Sequence, residues 1–209
     1  MKYAKKSLGQ NFLIDKNIIK KIINLVDIKD RNIIEIGPGH GSLTDEILNK
    51  KPKSLYLIEK DTELSKTLRL KYSNNMNLKI YNNDILKFDI EKIIKKKSII
   101  FGNLPYNISS QILVKFIKFN KWPLKFSDII FMFQKELGEK IIGKYKSEHY
   151  SRLSILTAYR LDISKKFLVT PNCFFPKPKV TSMVIHLKPK NIISYKIKNI
   201  ANLEKITNL

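Results

Sequence analysis

The feature that most constrains this chain is a short apolar run closed by glycine, asparagine or an acid, and repeated. "NIIEIG" (Asn32 to Gly37), "SLYLIEK" (Ser54 to Lys60), "LKIYNND" (Leu78 to Asp84) and "KSIIFGN" (Lys97 to Asn103) share this design. They recur at intervals of roughly 20 to 25 residues, and runs apolar at successive positions read as parallel strands buried on both faces. Helical spacing fills the gaps, at Leu43 to Leu48, Leu64 to Leu70 and Ile108 to Phe119. Strands alternating with helices predict a doubly wound α/β sheet.

An additional helix is predicted over residues 15 to 26, with Asp15 as its N-cap and Ile18, Ile19, Ile22, Ile23 and Val26 on one face. "DIIFMFQKE" (Asp128 to Glu136) reads as a fifth strand running into a helix, and "SRLSILTAYR" (Ser151 to Arg160) as helical. "ISKKFLVT" and "KVTSMVIHL", joined through proline-rich sequence, predict an antiparallel edge on the parallel sheet. The pattern decays after Lys190, and no internal repeat is visible.

A length of 209 residues suits one sizeable core rather than two domains. No apolar stretch is long enough to span a bilayer and the first residues lack a signal-peptide core, so a cytoplasmic protein is expected, with no membrane partner. Cys173 is the single cysteine, and His40, His149 and His186 are widely separated, so no metal is expected. The formal charge of +22 favours a polyanion, nucleic acid first. Biased genomic composition explains lysine over arginine but not lysine over glutamate.

The first strand ends in "EIGPGHGSLT", where Gly37, Gly39 and Gly41 permit a tight turn and let a ligand approach main-chain N–H groups. The spacing is not that of dinucleotide binders, and the loop lacks the Lys-Ser/Thr of a phosphate-binding P-loop, so NAD and ATP hydrolysis are disfavoured. Glu59 ends the second strand, where a carboxylate can accept both hydroxyls of a ribose, and Asp84 ends the third, where one can accept from an adenine amine. Each acid alone fits a solvated strand end; three ligand-capable positions at successive strand ends point to a nucleoside.

"KKSLGQNFL", "EIGPGHGSLT", Glu59, Asp84, "NLPYNISS", "FMFQKE", "SRLSIL" and "FFPKPKVTSMV" occur in an order that resembles the ribosomal RNA adenine dimethyltransferases, from about Lys5 to Leu187. The resemblance implies a Rossmann-like methyltransferase domain over 1–188 with an N-terminal cofactor lip. It implies S-adenosylmethionine as cofactor, S-adenosylhomocysteine as product, and dimethylation of the exocyclic amine of adenosine. It assigns Gln10, Asn11 and Leu13 to the lip, Gly37, Gly39 and Gly41 to the methionine end, and Glu59, Asp84 and Ile85 to the nucleoside, with Asn103 beside the cofactor. Asn103, Leu104, Pro105 and Tyr106 are the implied catalytic segment, and Phe174 the second base-stacking aromatic. Lys5, Lys6, Lys144, Lys146, Lys177 and Lys179 are candidate phosphate contacts.

"LGQNF", "GPG", "QKE" and "YSRLSIL" are similar to the small-subunit branch, whose members modify two adjacent adenosines in the 3′-terminal hairpin of 16S rRNA on immature small subunits. The alternatives are a large-subunit methyltransferase of the macrolide-resistance type and a non-catalytic ribosome-assembly factor on the same scaffold. Members of the family usually continue into a C-terminal helical domain, so 189–209 is expected to be a truncated or vestigial segment, of a naturally reduced form or of a fragment; a monomer is expected.

Overall fold

The computed structural model describes residues 9–119 and 125–190. Its elements follow the alternation: β1 (Phe12–Leu13), α1 (Lys16–Ile23), β2 (Asn32–Ile36), α2 (Ser42–Asn49), β3 (Ser54–Glu59), α3 (Thr62–Lys71), β4 (Leu78–Asn82), β5 (Ser98–Asn103) and α4 (Ser109–Ile117). Then come β6 (Phe126–Gln134), α5 (Lys135–Ile142), α6 (Arg152–Arg160), β7 (Leu161–Val169), β8 (Phe174–Phe175) and β9 (Ser182–Pro189). Seven strands form one sheet in the order β4-β3-β2-β5-β6-β9-β7. The first five are mutually parallel, while β9 runs antiparallel to both β6 and β7. The antiparallel strand is therefore one place in from the edge, which β7 occupies.

Alternate residues of the central strands feed two cores. Ile33, Leu55, Leu57, Ile99 and Phe101 pack with Ile19, Ile22 and Ile23 of α1, Ile47 of α2 and Leu68 of α3. Ile34, Ile36, Ile58 and Ile100 pack with Ile112, Leu113 and Phe116 of α4, Ile141 of α5 and Leu156 of α6. With both faces covered, Ile33, Ile34, Ile99 and Ile100 are fully buried, which is why these strands read as continuous apolar runs.

The helix starts are local chemistry. The Asp15 carboxylate accepts from the Asn17 and Ile18 N–H groups and fixes the start of α1, which ends at Ile23, three residues short of the predicted span. Ser151 and Ser154 form a reciprocal capping box on α6.

The chain steps outward from β2 to β3 and β4, then returns to lay β5 against the other side of β2. This reversal opens a crevice at the carboxyl ends of β2 and β5, the position where open α/β sheets bind ligands. A small second sheet closes it: β1 pairs antiparallel with β8, Phe12 opposite Phe175 and Leu13 opposite Phe174. Nothing periodic in two such short segments foretells that pairing.

Candidate active site

The crevice is a cleft of about 1130 Å³ including its open mouth. Of the expected residues it is lined by Gln10, Asn11, Leu13, Gly37, Gly39, Glu59, Asp84, Ile85, Asn103, Leu104, Pro105 and Tyr106. Three strand ends, one glycine turn and the N-terminal lip thus converge on a single volume.

The glycine turn is a necessity at two positions. Gly39 has φ 59°, and a Cβ there would meet the Phe12 ring at 2.8 Å. Gly41 has φ 85° and would drive a Cβ into the Tyr72 hydroxyl. Gly41 is the N-cap residue of α2 and lies outside the lining of the cleft, where it closes the turn.

Glu59 is 6% exposed, with Oε2 accepting from the Gly39 N–H at 3.1 Å and Oε1 from the Asp61 N–H at 2.9 Å. Burial pushes its carboxyl up, and these two N–H donors oppose the rise. Each oxygen retains acceptor capacity, so two hydroxyls on adjacent carbons suit it. Asp84 sits at the mouth. The Lys60 ammonium 2.9 Å away holds its carboxyl below the usual range, helped by the Leu86 N–H. Gln10 reaches across from the lip to Asp61 Oδ2 at 3.2 Å.

Asn103 ends β5, and its Nδ2 donates to the Asn11 carbonyl at 2.9 Å. That bond selects the amide's orientation and leaves Oδ1, which has no partner among the described residues, as an acceptor. Pro105 fixes its own φ and keeps Leu104 extended. Tyr106 is held through its hydroxyl, 2.7 Å from Ser182 Oγ. Burial raises its phenol pKa, so it is a neutral ring.

Phe174 is a correction. It is 3% exposed, does not line the cleft, and belongs to the cluster containing Leu13, Val169 and Cys173. Pairing with Leu13 turns it into the core, so as placed it anchors the lip instead of presenting a face to a base. Lys144, Lys146, Lys177 and Lys179 are exposed in loops outside the cleft, and Lys5 and Lys6 lie outside the described residues.

Four residues of this region carry roles the sequence reading did not assign. Glu35 is 1% exposed on the cleft floor, accepts from Thr44 Oγ1 at 2.6 Å, and is pushed by burial up to about 8. Its only signal was an acid inside an apolar strand. Phe12 packs at a tilt against His40, ring centroids 4.3 Å apart and planes at 57°, at the glycine turn. His40 Nε2 is buried on the cleft wall without a hydrogen-bond partner among the described residues. Ser182, fully buried, locates Tyr106 from β9.

Among the described residues no group of three His, Cys, Asp or Glu side chains could hold a metal ion, and no helix is long and apolar enough to cross a membrane.

The chain matches a family model described as ribosomal RNA adenine dimethylase over residues 1–209. It is 45% identical over 209 residues to the ribosomal RNA small subunit methyltransferase A of Pelagibacter ubique, covering 99% of this chain and 78% of that one. To the protein of the same name from Francisella tularensis subsp. novicida it is 46% identical over 192 residues, 90% of this chain and 72% of the relative. Among solved structures it resembles a dimethyladenosine transferase from Plasmodium falciparum, with TM-score 0.81 and 30% identity over 94% of this chain and 69% of that one. The 23S rRNA methyltransferase ErmE superposes with TM-score 0.74 and 25% identity, over 95% and 78% of the two chains.

Proposed function

The chain belongs to the ribosomal RNA adenine dimethylase family, and from that premise we propose how its cleft works. The activity is S-adenosylmethionine-dependent dimethylation of adenine in small-subunit ribosomal RNA. We infer further that the targets are two adjacent adenosines of the 3′-terminal hairpin, presented on the immature small subunit. Residues 1–188 form the catalytic unit.

The cleft fits the cofactor by its donor set. A buried diacceptor at Glu59, a carboxylate at Asp84, a turn at Gly37 and Gly39 on the cleft wall, and a His40 Nε2 with no partner among the described residues suit a nucleoside joined to a charged amino acid. Glu59 would hold the ribose, Asp84 and Ile85 the adenine, and the glycine turn the methionine end. When bound, S-adenosylmethionine would supply an electrophilic sulfonium methyl, and the neutral thioether left behind needs no proton donor.

The chain's own task is aiming. An adenine amine is a poor nucleophile because its lone pair is delocalised into the ring. Asn103 Oδ1 accepts one amine N–H and the Leu104 carbonyl the other, drawing the nitrogen towards tetrahedral geometry with its lone pair turned to the methyl carbon. Alignment of this kind contributes several kcal/mol by proximity and orientation. Tyr106 stacks on the base taken out of its helix, a contact worth about 1 to 3 kcal/mol. The amine proton leaves during or after transfer, and no dedicated base is required.

The observation that carries this reading is the fixed amide of Asn103, tied by Nδ2 to the lip and open at Oδ1 to the cleft. The test is incubation with methyl-tritiated S-adenosylmethionine and small subunits lacking the modification, followed by mapping of labelled nucleosides. Dimethyladenosine at two adjacent 3′-terminal positions is expected. Label confined to large-subunit RNA, or none where a known active enzyme succeeds, overturns the reading.

A further inference from the structure

The segment between α5 and α6 is a built loop. The Lys144 carbonyl accepts from both Ser147 N–H and Ser147 Oγ, at 2.9 and 2.7 Å, and Ser147 Oγ in turn accepts from the Lys144 N–H. The Tyr150 N–H closes a second turn on the Ser147 carbonyl at 3.0 Å. The two ends touch, since a Cβ on Gly143 would run into the His149 carbonyl. Lys146 takes the left-handed conformation, φ 66°, to complete the bend. Compact loops with touching ends are frequently functional.

This loop displays what a core would hide. Tyr145 is 74% exposed and Tyr150 45%, their rings edge to face with centroids 5.6 Å apart. The Lys146 ammonium lies 5.7 Å from the Tyr145 ring. Neither Lys144 nor Lys146 makes an ion pair among the described residues, while Glu148 supplies the loop's one acid. The helix that leads into the loop starts beside the cleft wall. α5 begins where the Lys135 N–H meets the Thr181 carbonyl, beside the Ser182 that holds Tyr106, and its 8 residues span ~12 Å.

We propose that the Tyr145–Tyr150 pair is a stacking platform for an unpaired base of the RNA substrate, a few nucleotides from the target adenosine, with Lys144 and Lys146 on the adjoining phosphates. Exposed aromatics interleaved with unpaired cations are the chemistry that binds single-stranded RNA. The two ammoniums call for an anionic occupant and the exposed ring faces beside them for a stacked base, so RNA is the favoured occupant. The proposal rests on the RNA-methylating reading above.

The test uses the full chain with a short labelled single-stranded RNA and a blunt RNA duplex of equal length. Tyr145→Leu should weaken single-strand binding about 5- to 150-fold and duplex binding far less. Tyr145→Phe should bind as wild type does, and cofactor affinity should be unchanged in both. Lys144→Gln and Lys146→Gln should each reduce the slope of log K against log salt by ~0.7. Wild-type-like RNA binding by Tyr145→Leu, or equal losses for single strand and duplex, overturns the platform. So does normal RNA binding with weakened attachment to ribosomal subunits, which would make the partner a protein. If wild type labels adenosine while Tyr145→Leu binds RNA normally, only the platform falls; if wild type labels none, the functional reading falls with it.

Discussion

Replacing Glu35 by glutamine isolates the most perturbed carboxyl of the cleft. Buried within β2 at 1% exposure, Glu35 has its pKa raised from 4.5 to about 8, chiefly by burial, with Glu59 and Asp45 adding to the rise. At 1.36 kcal/mol per unit, keeping it ionised costs ~5 kcal/mol in the folded state. The sign follows from proton counting. Above pH 4.5 the unfolded chain releases this proton while the native state retains it until about 8. Native stability from this group is therefore full at low pH and lost as pH rises, by ~3 kcal/mol between pH 5 and 8.

Glutamine keeps the shape and an oxygen for the Thr44 hydroxyl but cannot ionise. Urea unfolding of both proteins at pH 5, 6, 7 and 8 should give similar stabilities at the acid end and a variant progressively more stable, by ~3 kcal/mol, at the alkaline end. Glu59, whose carboxyl is also raised, remains in both proteins and drops out of the difference to first order. Parallel stability profiles, or a constant offset at every pH, would refute the assignment of a retained proton to Glu35.

Asn103→Ala should bind S-adenosylmethionine within a few-fold of wild type yet lose ~10²- to 10³-fold in turnover, the scale for removing one oriented polar contact to a reacting group. Asn103→Asp should do no better, because a carboxylate cannot donate to the Asn11 carbonyl; steady-state kinetics with calorimetric cofactor binding checks both. Phe174→Ala should lose ~3 to 5 kcal/mol of stability as a core truncation, whereas Phe174→Leu should fold with nearly wild-type turnover; a folded Leu variant with tenfold lower turnover would restore the stacking role. Gly39→Ala should weaken cofactor binding, since the left-handed backbone costs ~1 to 2 kcal/mol and its Cβ displaces Phe12; unchanged affinity by titration would refute the close packing of lip on turn.

The parallel sheet was legible because its cause is local: strands buried on both faces must be apolar at consecutive positions, and the helices between them must alternate at 3.6 residues. The binding edge was legible for a related reason. Glu59, Asp84 and Asn103 each stop an apolar run, so polar chemistry is forced to the same end of neighbouring strands. The lip was named from resemblance, but its physical hold was hidden, because β1 and β8 contribute two residues each and pair across most of the chain. That hidden pairing is also why Phe174 reads as a loop aromatic and proves to be core.

Glu35 and Asn103 show the deeper limit. An acid within "NIIEI" is a polar exception in one dimension and a fully desolvated carboxyl in three. The Asn103 amide is legible as an asparagine, yet the role proposed for it depends on which way it points. That direction is set by the carbonyl of Asn11, 92 residues away. Gln10 ties the same lip to Asp61, whose N–H donates to the Glu59 carboxylate. The lip is therefore bonded to both sides of the cleft, and under the proposed function the segment that would close over the cofactor would also orient the acceptor for the amine. A chain whose lip is displaced should lose aim and cofactor together, whereas loss of the Asn103 side chain alone removes aim only, and that difference separates an oriented amide from a merely present one.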